Sequence, residues 1–271
     1  INWRLYFALI TSALLPLLYT TLRINFLGML PVDQGYNIAS QLSWVNVIYE
    51  VLQEGLILPL FFLLGRVLDD PKTFANRIRT GLIISALFYI TLGSIVILFL
   101  KPLFVFMQQK PEIIPQSIVY IRLEVISISI SVIYRFIALV FIVLGKEKWV
   151  YRLLVVQMVL SVISDILLIS PFDISLKLGV NGIAIGNIII NCILCIVAWG
   201  GLIRLKVFVE YNDKLDFRWV SKWWKIGFIS GIESFLRNMV FVFMIIRLIN
   251  QVQEQGNFWI ANNFIWGWLL L

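Results

Sequence analysis

The chain has no histidine and only two cysteines in 271 residues. The first absence removes Ser-His and Cys-His catalysis, His-ligated zinc and the imidazole proton shuttle. The cysteines, Cys192 and Cys195, form a CxxC inside an apolar run. Thioredoxin-type chemistry needs that motif at an accessible helix start, so both read as packing residues. Charge is also scarce. Asp, Glu, Lys and Arg make up 14% of the chain, against roughly 25% in soluble domains. No phosphate-binding GxxxxGK(S/T) occurs, so ATP use is not implied. No nucleophile–base pair stands out, and the reading is not an enzyme.

What is present is apolar. Hydrophobic residues reach 61% and the mean hydropathy is +0.94. The apolar runs are about 20 residues or longer, enough to cross a hydrocarbon core of about 30 Å as helices. They are not the roughly 10-residue alternating strands of a membrane barrel. The expected fold is therefore an all-α integral membrane protein, a polytopic helical bundle. No cleavable leader is expected, because the first apolar segment is long enough to span and has no small-residue cleavage site. The chain starts at Ile1 without a Met and stops at Leu271 within an apolar run, so it is expected to be a piece of a longer protein.

Eight helices are predicted, at about 5–26, 38–68, 78–100, 118–144, 148–169, 178–204, 224–249 and from 258 onward. Polar links are expected at 69–76 and 101–116. Residues 205–222 read as a surface crossover, with a short interfacial helix rich in Trp (Trp219, Trp223, Trp224). Pro16 and Pro59 fall inside helices, as gating bends or as kinks repaired by neighbours. In alternating loops, 14 of the 22 Lys and Arg residues lie on the side of the N-terminus and 4 on the other. That bias puts the N-terminus in the cytoplasm and accounts for most of the net charge of +7, so nucleic acid is not an expected partner. A Leu-Arg pair recurs at Leu22-Arg23 and Leu236-Arg237, each six or seven residues after Pro16 or Gly231, which suggests a repeated half.

Ionisable side chains inside apolar spans are expensive and usually face a bundle interior or a wet cavity. Asp165 lies deep in the fifth run. Glu50 and Glu54, four apart on the second, share a helix face and could hold one proton between them. Glu233 and Arg237, four apart on the seventh, could neutralise each other. Glu124 and Arg135 read as ion-paired inside the lobe, with a place on the cavity wall as the alternative.

The stretch from Gly145 to Asn187 resembles the multidrug and toxic compound extrusion (MATE) family. LVVQMVLSVISDILLI is similar to that family's fifth helix. LGVNGIAIGN (178–187) is similar to the start of its sixth, and Tyr120-Ile-Arg122 to the opening of its fourth. The resemblance implies a six-helix N-lobe (1–204), a cytoplasmic crossover (205–223) and the first helices of a pseudo-symmetric C-lobe (224–271). It implies a multi-pass, monomeric secondary transporter of the plasma (inner) membrane. Such a protein exports cationic or amphipathic small molecules by Na⁺ or H⁺ antiport, without a cofactor. By resemblance Asp165 is the acid of the N-lobe cation site, the place for any Na⁺. Ser161 and Asn187 are its polar neighbours. Arg23 falls where many members carry an Asp, and Arg237 near a family Glu. Asp165 then either takes the coupling cation or pairs with Arg23. Two alternatives stand: a lipid-linked oligosaccharide flippase of the same superfamily, favoured by the buried arginines, or a degenerate non-transporting member. A net acidic cavity indicates the exporter, a net basic one the flippase.

Overall fold

A computed structural model describes residues 3–29, 35–207 and 214–268, with backbone alone for 3–13, 15, 16 and 266. The described residues are helical, with no strand among them. In the order of the chain the helices are α1 (Trp3–Gly28), α2 (Gly35–Gly65), α3 (Pro71–Phe106), α4 (Ile114–Val143), α5 (Glu147–Leu168), α6 (Val180–Arg204), α7 (220–251) and α8 (Gln255–Trp268). Five of them, α2 to α6, are long and apolar enough to cross a membrane. Apolar runs adopt helices in lipid because every backbone N–H and C=O must be satisfied within the segment. The outer faces carry large apolar side chains such as Leu98 (76% exposed) and Ile196 (73%), the pattern of a surface solvated by acyl chains.

Helix α4 is the hub. It packs against α6, α3, α5 and α2 and contributes buried side chains along its length, from Tyr120 to Phe141. Helix α1 lies on α5 and α2, and its far side meets α8. Helix α7 lies along α2.

Helix limits depart from expectation at three places. The polar link expected at 69–76 shrinks because Asp70 caps α3, accepting from the Thr73 backbone N–H at 3.2 Å and its hydroxyl at 2.6 Å, with Pro71 in the first turn. Pro at that position has no N–H to lose. The link expected at 101–116 is largely helix as well: α3 carries Pro102 inside it and ends at Phe106, and α4 begins at Ile114. Lys101 and Pro102 do not end α3, because the apolar flank at 103–106 continues the helix past them. No separate interfacial helix forms at 214–219; Trp223 and Trp224 belong to α7. The turn at 30–34 and residues 208–213 of the crossover lie outside the described residues, as does the Pro16 side chain.

Pro59 stands in the first turn of the α-helical segment Leu58–Gly65. The turn before it, Gln53–Ile57, opens into π geometry, a usual response where a helix loses a hydrogen bond. Helix α7 closes on this weak point. Trp223 Nε1 donates to the Leu56 carbonyl at 2.9 Å. Gly227 lies so near the Gly55 carbonyl that a Cβ there would sit 2.0 Å from the oxygen. Small residues at a crossing let two backbones approach. Gly231, one turn on, leaves 3.6 Å to Gly55 Cα, an ordinary contact.

The two glycines should therefore respond differently. Gly227→Ala is expected to destabilise the protein by about 1–3 kcal/mol through overpacking, and Gly231→Ala to leave it nearly unchanged. Thermal unfolding of the detergent-solubilised full-length protein checks this, and equal losses would contradict the crossing.

Candidate functional site

Four helices converge on one buried polar cluster. Asp165 on α5 is 1% exposed. Arg23 on α1 forks it: Nε donates to Oδ2 at 2.9 Å and a terminal nitrogen to Oδ1 at 3.0 Å. The same nitrogen lies 3.5 Å from the Asn187 Oδ1 on α6. Asn187 in turn donates from Nδ2 to Glu124 of α4 at 2.9 Å. Tyr120 stands one turn before Glu124 and is buried with it. Tyr19 on α1 places its ring 4.6 Å from the Arg23 guanidinium, and Ser161 stands one turn before Asp165 on α5. Ser161, Glu124 and Tyr120 are all buried.

The close approach of α6 to α5 brings these groups together. Gly182 and Gly186 stand four apart, and a Cβ on Gly186 would fall 2.1 Å from the Ser164 hydroxyl. That spacing puts both on one helix face and lets α6 sit against α5, with Asn187 on the adjoining edge. Below the cluster α6 and α4 are joined by a polar ladder. Asn191 donates to the Ser127 hydroxyl at 2.8 Å and to its carbonyl at 3.0 Å, and Cys195 meets the Ile130 carbonyl at 3.4 Å. Cys195 thus closes the ladder, and Cys192, exposed on the lipid side, takes no part.

The cluster holds two carboxylates and one guanidinium. Arg23 satisfies both oxygens of Asp165, so the position a metal cation would take beside that carboxylate is filled by a tethered side chain. Glu124 accepts from a neutral partner, Asn187, with the charge of Arg23 beyond it.

The other predicted residues fall elsewhere. Glu50 is exposed, and Glu54 turns within the π segment to bind Arg237 of α7. The two carboxylates therefore have different surroundings: Glu54 has a cation from α7 and Glu50 faces outward. The expected Glu233–Arg237 pairing is likewise replaced by Arg237–Glu54, and Glu233 is exposed. Arg135 donates to Gln53 at 3.2 Å rather than pairing with Glu124, and Arg122 is exposed. Glu124 is the residue that sequence reasoning undervalued. A usable signal existed: Tyr120 and Glu124 on α4, and Asn187, Asn191 and Cys195 on α6, repeat at helical spacing within apolar runs.

Fold and cluster together define a class: a polytopic helical membrane protein that keeps ionised side chains inside its bundle, as membrane transporters do. The family model described as MatE matches residues 69–167, from the α2–α3 link through α3 and α4 to the end of α5, a span that includes Glu124 and Asp165. Over that span the chain is similar to the family described as MatE, whose members are membrane transporters. No curated protein and no solved structure matches it.

The pair is open to a direct test. Removing one end of a buried ion pair costs on the order of 3–5 kcal/mol, because the other charge stays behind unpaired. Arg23→Gln and Asp165→Asn should each destabilise the protein on that scale. The double variant should recover most of the loss in a thermal-unfolding cycle. Additive losses would show that the two side chains act independently.

Proposed function

We propose that the protein is a cation-coupled exporter of cationic or amphipathic small molecules, with the Asp165–Arg23–Asn187–Glu124 cluster as its coupling site and the proton as its coupling ion. The observation that carries this reading is the charge of the cluster, two buried carboxylates against one guanidinium. An acidic interior suits cationic chemistry. The proton is favoured over Na⁺ because Arg23 already fills the cation position at Asp165. A proton needs no coordination sphere; it neutralises a carboxylate and removes the reason for Arg23 to stay. Glu124, with no cation of its own, is the natural first acceptor, and its protonation changes the hydrogen bond it takes from Asn187, which also faces Arg23.

The flippase reading needs a basic cavity. The arginines that favoured it disperse: Arg122 is exposed, Arg135 binds Gln53 and Arg237 binds Glu54. Placement of the N-terminus in the cytoplasm and of the protein in the plasma (inner) membrane rests on the basic-residue bias.

Proteoliposomes holding the full-length protein decide between these. Efflux of a fluorescent cationic dye should follow an imposed H⁺ gradient and not a Na⁺ gradient. Asp165→Asn should abolish gradient-driven efflux. Glu124→Gln should leave dye binding intact but flatten the dependence of efflux on pH. Efflux driven by Na⁺ alone, or full coupling in Asp165→Asn, would remove the proposal.

A further inference from the structure

The basic residues at one end of the bundle do more than set topology. The start of α3 and the end of the crossover are tied at two points. Asn76 Nδ2 donates to the Asp216 carbonyl and the Asp216 N–H donates back to Asn76 Oδ1, both at 2.9 Å. Trp219 Nε1 donates to the Thr80 hydroxyl at 3.0 Å, and Arg77 lies 5.5 Å from the Trp219 ring. These ties leave a recess of about 560 Å³ between the two segments. Six cationic side chains line it: Lys72, Arg77 and Arg79 from α3, and Lys214, Arg218 and Lys222 from the other wall. Its single carboxylate, Asp216, is held by Arg218 at 2.8 Å. The hydrogen bonds from Arg218 keep the Asp216 carboxyl down at about 2, so the charge of the recess is constant across neutral pH.

A separate apolar groove is lined by the same two helices, α3 and α7. It has a volume of about 250 Å³ and lies between α2, α3 and α7, with Phe88, Trp224, Phe228 and Leu56 on its walls and Gly227 and Gly231 opening its floor. Phe88 stacks on Trp224 at 5.7 Å. On α3, Arg77 and Phe88 are 11 residues apart, close to three whole turns, so they share a stripe about 16 Å long. That is close to the thickness of one leaflet, half of a hydrocarbon core of about 30 Å. Trp219, Trp223 and Trp224 stand between recess and groove, the level at which Trp concentrates in membranes.

We propose that recess and groove together bind one anionic phospholipid, its phosphate among the cations of α3 and the crossover and an acyl chain along Phe88, Trp224 and Phe228. The lipid bridges the first six helices to α7 at the point where they are otherwise joined by Asn76–Asp216 and Trp219–Thr80. A zwitterionic lipid offers the same chains, but its ammonium meets a wall of like charge. A free phosphate offers the same anion without the chain. The site lies away from the Asp165 cluster, and its test does not depend on transport.

The test uses delipidated full-length protein in detergent, with native mass spectrometry for retained lipid and thermal unfolding for its effect. The probes are dioleoyl phosphatidylglycerol, dioleoyl phosphatidylcholine and inorganic phosphate. Phosphatidylglycerol should be retained at one per protein and raise the unfolding temperature. Phosphatidylcholine should need at least about tenfold more, and phosphate should have no effect. Lys214→Gln combined with Lys222→Gln should weaken phosphatidylglycerol binding at least about tenfold, and the Arg pair at those positions should restore it. Equal retention of the two lipids overturns the proposal. So does phosphate matching phosphatidylglycerol, which would mark a free-anion site. So does undiminished binding in the Gln variant. If that variant does not fold, the comparison of probes on the wild-type protein decides alone.

Discussion

The forked pair between Arg23 and Asp165 is the constraint on which the N-terminal bundle depends. Either charge alone inside an apolar bundle is costly, and the attraction between them offsets that cost only while the geometry holds. Helix α1 is also tied to α2 by the Tyr36 hydroxyl, which donates to the Ile24 carbonyl at 2.8 Å. The pair fixes its register on α5, and through Asn187 it reaches α6 and then Glu124 on α4. Four helices are thus tied by side chains that lipid cannot solvate.

Backbone proximity makes the pair possible. Lipid tails are as apolar as leucine, so helices in a membrane gain little from burying apolar faces against each other; packing and hydrogen bonds do the joining. Here Gly182 and Gly186 bring α6 onto α5, and the Asn191–Ser127 rung brings α6 onto α4. The same device recurs between α2 and α7, where Gly55 meets Gly227 and Trp223 takes up a carbonyl of the π turn. At Pro59, which cannot donate to the Gly55 carbonyl, Gly227 stands against that carbonyl and Trp223 donates to the next one.

Asp165 was legible from sequence because one acid in a long apolar run has no neutral explanation, and Arg23 because it replaces an acid of the resembled family. The helical class was legible from run length alone. Glu124 was not given its place because Arg135 looked like its partner. The two are 11 residues apart on α4, three turns or about 16 Å, too far to touch. Glu50 and Glu54 failed for another reason. Helical spacing assumes a regular α-helix, and Glu54 lies in the π turn that precedes Pro59. The apolar alternation around Pro102 carried the helix through a residue read as its end. In each case the missing information was tertiary: which cation arrives from another helix, and which neighbour repairs a broken turn.

Position on α1 connects the cluster to the rest of the chain. Arg23 binds α5, and two residues earlier the Thr21 hydroxyl accepts from Trp268 Nε1 on α8 at 3.0 Å. A helix places residues two apart on different faces, so α1 is held from two sides, by a charged contact within the first six helices and a neutral one from α8. The two holds differ in kind. The Trp268–Thr21 bond is indifferent to protonation of Asp165, whereas Arg23 loses its counter-charge when that carboxylate is neutralised. A proton or ligand at Asp165 therefore acts with different free energy on the two sides of α1. Such a difference is the condition for a bound species to shift a conformational equilibrium.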